Sequence, residues 1–191
     1  MNSMPIQLRT GAPADAGAIH MLISTNLSVG HLLPRTFDDV ESHAHRFVVA
    51  VADEGSVIGC AELAPLSSEV AEVRSLVVDE ARRGQRLGVA LVTALADRAR
   101  ELGYVTLCAF THQPAHFIRL GFSIVPHQWV PEKIAHDCVG CAQFRHCGQY
   151  AVSLSLRAGS GLRLETTAPP ARAVAAPRSS VERLRLIPIP A

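Results

Sequence analysis

Between Arg83 and Gly88 the chain reads RGQRLG, with two arginines and two glycines in six residues. This stretch lies between an apolar run, Val73 to Val78, and a long amphipathic segment. The order predicts a strand, a tight loop and a helix. The first backbone N–H groups of a helix have no partner within it. Together with the helix dipole they attract anions, phosphate above all. The chemistry open to Arg83–Gly88 is therefore the holding of a phosphate-bearing ligand. An ordinary basic helix start at the surface is the other reading of the same residues.

A second cluster holds His136, Cys138, Cys141, His146 and Cys147. A Cys-x-x-Cys with a third cysteine and a nearby histidine matches zinc-ligand chemistry. Structural zinc sites usually show two such pairs, and here there is one. Partly buried thiols that pack a loop beneath the last strand are the preferred reading, so no metal is expected.

These groups need a scaffold. The chain has 191 residues, enough for one domain with a real core, or one domain plus a tail. Its net charge of +1 gives no global field for nucleic acid or an anionic membrane. No apolar run approaches a membrane span. The first residues, MNSMPIQLRTGAPAD, carry no apolar signal core, so export is not expected. Five cysteines, an odd number, suit reduced thiols or metal ligands in a cytoplasm rather than a secreted disulfide framework.

Ile6 to Arg9 suits a short strand. Pro13 opens a helix whose apolar face is Ile19, Leu22 and Ile23. Thr36 is placed to cap a second, FDDVESHA, whose acidic residues fall in its first turn. Phe47–Val51 and Val57–Leu63 read as a hairpin turned at Asp53, Glu54 and Gly55. VAEVRSLVVDE is a further strand, apolar enough at Leu76 to Val78 to be buried on both faces. Residues 83 to 102 predict a helix with Leu87, Leu91, Leu95, Ala99 and Leu102 along one face, stopped at Gly103. Then come a strand (YVTLCAF), a short helix (QPAHFIRLG), a strand (FSIVP), an irregular cysteine-rich stretch from Val130 to Gly148, and a last strand (QYAVSLSL). After Arg157 the composition turns to Ala, Pro, Ser and Arg with no aromatic residue. The expectation is a domain over residues 1–156 and a disordered tail over 157–191.

EVRSLVVDEARRGQRLGVALVTALADRARELGY resembles the acetyl-CoA-binding core of the GNAT N-acetyltransferase superfamily, and HFIRLGF resembles its next helix-to-strand turn. The likeness runs from Pro5 to Leu156. The family motif Arg/Gln-x-x-Gly-x-Gly/Ala falls on Arg83, Arg86 and Gly88, with Arg86 where the family usually has glycine. Helical dihedrals at Arg86 would keep the amide cradle. The resemblance implies an α+β fold: a mixed central sheet of about seven strands, helices on both faces, and splayed fourth and fifth strands. It implies acetyl-CoA as cosubstrate. The pyrophosphate would lie on the amides of Arg83, Gly84, Gln85, Arg86, Leu87 and Gly88. The pantetheine arm would pair with backbone near Leu76 and Val78, and Val77 or Val78 would offer an oxyanion donor. Transfer would be direct, without a cysteine nucleophile.

VPEKIAHDCVGCAQFRHCGQYAV resembles a segment of short, single-domain N-acetylglutamate synthase-like acetyltransferases. This implies a small-molecule acceptor, the α-amine of L-glutamate, and a product that begins arginine synthesis in the cytoplasm. No feedback through an amino-acid-kinase-like domain is expected, and neither nucleic acid nor membrane is a partner. Homodimers are common for such folds. A dicarboxylate acceptor needs cations, and Arg35, Arg74 and Lys133 are the candidates. Glu72 is the candidate base, directly or through water; a salt bridge with Arg74 is its other role. Many relatives carry a tyrosine acid after the phenylalanine of HFIRLGF, where this chain has Ile118. Tyr150 is the alternative acid, or else a packed aromatic. His112 and His116 read as loop or helix-surface histidines. The competing functions are acetylation of another small amine or of a protein N-terminus, and acetyl-CoA binding by a non-catalytic regulator.

Overall fold

The computed structural model describes residues 6–30, 32–52 and 54–157. The tail expected after Arg157, and a second unit spanning Gly161–Ala191, lie outside the described residues. Within them the strands are β1 (Gln7–Thr10), β2 (Phe47–Val51), β3 (Val57–Pro65), β4 (Val70–Val78), β5 (Thr106–Thr111), β6 (Ser123–Val125) and β7 (Tyr150–Ser155). They form one seven-stranded sheet in the order β1-β2-β3-β4-β5-β7-β6. Every neighbouring pair is antiparallel except β4 and β5.

Both faces of the sheet are covered. The helices are α1 (Ala16–Thr25), α2 (Leu27–Gly30), α3 (Phe37–Ser42), α4 (Leu87–Glu101), α5 (Pro114–Ile118) and α6 (Pro131–Lys133). In β2 alternate residues point to opposite faces. Phe47, Val49 and Val51 pack with Ile19 and Ile23 of α1 and Val40 of α3. Val48 and Ala50 pack with Leu91, Val92 and Leu95 of α4. Thr36 caps α3 as expected, its hydroxyl accepting the Asp39 N–H.

α4 begins at Leu87 rather than Arg83, after a 3₁₀ turn at Glu80–Arg82 in which the Asp79 carboxylate accepts the Ala81 N–H. Its buried stripe is Leu87, Leu91, Val92, Leu95, Ala96 and Ala99, while Leu102 is exposed, because the helix has ended by that point. Gly103, at φ 84°, stops it: its N–H donates to Arg100, and the Tyr104 N–H donates back to Ala99. The stretch expected to be irregular after Val130 instead forms α6 and a π-helical turn over Ile134–Cys138.

A bulge in β4 opens the site. Against β3, Cys60 faces Val77 and Glu62 faces Arg74, so β4 carries one extra residue there. Ser75 takes it up in the left-handed region, at φ 49°. A bulge reverses which face the following residues point to. Val73 accordingly packs towards α4 and Val77 towards α1. The strand also bends. β4 pairs with β5 only over Val70–Glu72 against Thr106–Cys108, and beyond Glu72 the two diverge. The divergence leaves Leu76 and Val78 half-buried, not covered on both faces as the apolar run suggested. No described helix is long and apolar enough to cross a membrane.

Candidate functional site

The divergence of β4 and β5 creates a cleft of about 840 Å³. Along one side runs the stretch of β4 that β5 does not pair, Val73 to Val78, and all six residues line the cleft. An extended chain laid here would meet an open strand edge.

The basic loop lies at one end. Arg83 and Gly88 line the cleft, as do Leu76, Val77 and Val78. Gly84, Gln85 and Arg86 are exposed outside the lining, and the Leu87 side chain is buried in the core. Arg83 donates to the Asn26 side-chain oxygen at 2.7 Å, which ties the loop to the end of α1. Arg86 is not helical. It stands as N-cap of α4 at φ 60°, ψ 17°, and no side chain caps the helix. The position therefore demands the conformation that glycine adopts freely, and an L-residue bears a cost of roughly 1–2 kcal/mol there. The Arg86 carbonyl still accepts the Ala90 N–H, so α4 forms normally behind it. A Cβ on Gly88 would come within 3.3 Å of the His116 ring.

At the other end three cations meet four carboxylates. Arg35 donates to Glu62 at 2.6 Å and also to Asp39. Arg74 donates to Glu72 and to Asp137. Lys133 donates to both oxygens of Glu72 and, at 2.8 Å, to the same Asp137 oxygen that Arg74 holds. Glu62, Glu72 and Lys133 are all buried. Glu72 and Arg74 are two apart on β4, so their side chains share a face and bond directly.

Arg35, Arg74, Lys133 and Glu72 all line this cleft, and none of the three cations stands alone. Each already holds a carboxylate of the protein. Burial opposes the charge of Arg74, and Glu72 together with Asp137 and Glu62 outweighs it, raising the pKa above the ordinary arginine value. Arg35 is likewise opposed by burial and raised by Glu62 and Asp39. Burial pushes Asp137 up, but its bonds with Lys133 and His136 win, and its carboxyl is held below the usual range.

Other expectations need correction. Tyr150 is half-exposed and is not among the residues lining the cleft, although Gln149 before it and Thr111 opposite it are. Ile118 is also exposed, and α5 turns Phe117 to the cleft in its place. Neither position supplies a hydroxyl there. His112 is an exposed loop residue and His116 is half-buried on α5, and both line the cleft. Burial pushes the His116 imidazole below its ordinary pKa, with Arg119 adding to this and the Gly88 backbone pulling weakly against it. Its Nε2 is buried with no hydrogen bond of normal geometry. Among the described residues no three His, Cys, Asp or Glu side chains are arranged to hold a metal ion.

Asp39, Glu62, Asp137 and Ser75 were missed. Asp39 follows Arg35 by four and Asp137 follows Lys133 by four, a spacing that favours ion pairs on a helix. Glu62 interrupts the apolar strand CAELA, and a charge in such a run needs a buried partner. Nothing local marks Ser75.

The acetyltransferase (GNAT) family model matches residues 19–122. An uncharacterized N-acetyltransferase of Chlorobaculum tepidum is 30% identical over 149 residues, covering 78% of this chain and 96% of that protein. The amino-acid acetyltransferase of Pseudomonas aeruginosa is 36% identical over 115 residues, 59% of this chain. The match spans only 26% of that longer enzyme. Rv2747 of Mycobacterium tuberculosis, solved in complex with CoA and NLQ, superposes with a TM-score of 0.68 at 26% identity, over 79% of this chain and 99% of that one.

Proposed function

This chain belongs to the GNAT acetyltransferase family and is an acetyl-CoA-dependent N-acetyltransferase, and we propose that its acceptor is the α-amine of L-glutamate. One observation carries the choice of an acidic acceptor. A single oxygen of Asp137 is held by both Arg74 and Lys133 in the cleft. A guanidinium and an ammonium converging on one carboxylate oxygen make a receptor for carboxylates. The surplus carboxylate in the cluster suits the ammonium group that the same acceptor carries. The likeness to amino-acid acetyltransferases over the GNAT segment supports the same reading.

In this reading the open edge of β4 at Leu76 and Val78 receives the pantetheine arm. The backbone amides of Arg83 to Gly88, at the start of α4, receive the pyrophosphate. Val77 or Val78 directs an N–H at the thioester oxygen. These contacts fix the carbonyl carbon within reach of the amine, and such positioning is the main catalytic contribution. Glu72 takes one proton from the acceptor ammonium, directly or through water. The freed amine forms the C–N bond as the C–S bond breaks. With Ile118, Phe117 and Tyr150 unable to act as acid in the cleft, the amine nitrogen passes its second proton to the departing thiolate. Glu72 returns its proton to solvent when the acceptor leaves.

The product would be N-acetylglutamate, the first intermediate of arginine synthesis. A cytoplasmic location follows from that role and suits the five free cysteines.

Arg74→Ala tests the acceptor assignment. L-Glutamine cannot form the charge-assisted pair that glutamate forms, so the parent should prefer glutamate. The variant should lose most of that preference while still binding acetyl-CoA in calorimetry. Retained preference removes Arg74 from the acceptor site.

A further inference from the structure

The five cysteines fall into two groups. Cys60 and Cys108 are buried in the core. Burial pushes the Cys60 thiol up to about 12 and raises Cys108 as well, so both stay protonated and inert. The other three lie together between residues 138 and 147, outside the core. Cys138 is half-buried, and Cys141 and Cys147 are exposed.

Cys138 and Cys141 are already joined by a turn. The Cys141 N–H donates to the Cys138 carbonyl at 3.0 Å. A turn closed in this way holds its end Cα atoms within about 7 Å, the outer limit of what a disulfide spans, so the bond draws the two residues closer. Cys141 also lines the cleft. Cys138 directly follows Asp137 and ends the π-helical turn Ile134–Cys138, whose Val139 N–H reaches back to Ile134. That turn presents Asp137 to Arg74 and Lys133.

We propose that Cys138 and Cys141 are a reversible thiol-modification pair whose disulfide releases Asp137 from Arg74 and Lys133 and so disturbs the acceptor end of the cleft. The kinetic consequence rests on the acceptor reading above; formation of the disulfide does not. The oxidant is a peroxide. The exposed Cys141 thiolate attacks one peroxide oxygen, the O–O bond breaks and water departs, leaving a sulfenic acid. The Cys138 thiolate then attacks that sulfur, the S–S bond forms, and a second water departs. Two electrons pass from the two sulfurs to the peroxide, and both thiol protons end in water. A dithiol reverses the step. Bonding to Cys141 draws Cys138 away from its half-buried place, and the π-helical turn moves with it.

The test treats the full chain with hydrogen peroxide. Peptide mapping without reductant should find Cys138 linked to Cys141. Amide exchange over residues 133–138 should rise, and KM for L-glutamate should shift by at least about fivefold, as site coupling typically gives. Affinity for acetyl-CoA should be unchanged, and dithiothreitol should reverse every change. Cys138→Ser should abolish the response, and Cys147→Ser should keep it. The proposal is overturned if Cys147 is the partner, if one zinc ion per chain holds the thiols, or if the disulfide forms with exchange unaltered. Should the reduced protein leave L-glutamate untouched while exchange still rises on oxidation, the thiol pair stands and only the acceptor reading falls.

Discussion

Lys133 donates to both carboxylate oxygens of Glu72, at 2.8 and 2.9 Å, from a position 61 residues further along the chain. Both residues are buried, and each has one further charged partner, Arg74 for Glu72 and Asp137 for Lys133. Removing one member of a buried pair typically costs about 3–5 kcal/mol, because a charge is left behind. Arg74 remains to serve Glu72, so Lys133→Met should fall at the lower end, about 3 kcal/mol. The urea midpoint should drop with the slope unchanged. A variant as stable as the parent would mean that packing replaces the pair.

Gly88→Asp should abolish acetyl-CoA binding in calorimetry. The change sets a negative charge beside the phosphates and a Cβ 3.3 Å from the His116 ring. Gly88→Ala keeps only the steric part and should weaken binding by less. Unchanged affinity in Gly88→Asp removes the loop from the cosubstrate site.

Arg86→Gly should stabilise the protein. Glycine is free of the left-handed strain of roughly 1–2 kcal/mol, but makes the unfolded chain more flexible by about 0.4–1 kcal/mol. A net gain of about 0.5–1 kcal/mol is expected from thermal or urea unfolding, with acetyl-CoA affinity retained. A loss of stability would show that the Arg86 side chain contributes more than its backbone costs.

Asp137 has a folded pKa below its ordinary value of 3.8, chiefly because Lys133 and His136 outweigh burial. A depressed carboxyl stabilises the fold fully above its unfolded pKa and ceases to do so as pH falls through the folded one. The parent should therefore lose stability more steeply than Asp137→Asn as pH drops from about 5 to about 2. Parallel pH curves would show that Asp137 is not held by its cations in solution. Asp39 is depressed too, mainly by its bond with Arg35, and its share remains in both proteins.

Much of this was legible in the sequence, and the reasons differ by element. The hairpin, the long helix and the final strand followed from apolar spacing, because each buries a continuous face. The loop before α4 was legible because helix ends and glycines have local rules. Its conformation was legible only in part: Arg86 stands where the family motif has glycine and adopts a left-handed conformation, not the helical dihedrals that would have kept the cradle unchanged. The acceptor end was half legible. Arg35, Arg74, Lys133 and Glu72 could be chosen as charges that a ligand needs. That the protein's own carboxylates hold all three cations depends on the β4 bulge and the fold of residues 131–138, which bring distant residues together. Tyr150 was misjudged because chain proximity to the last strand does not fix which way a residue at its start faces.

Thiol release from acetyl-CoA, measured against a panel of amino acids, polyamines and peptides, tests the acceptor claim most directly. L-Glutamate should turn over fastest and L-glutamine more slowly. With glutamate, Glu72→Gln should lose most activity near neutral pH and regain part of it as rising pH deprotonates the amine unaided. Turnover of a polyamine or a peptide with none of L-glutamate would contradict it.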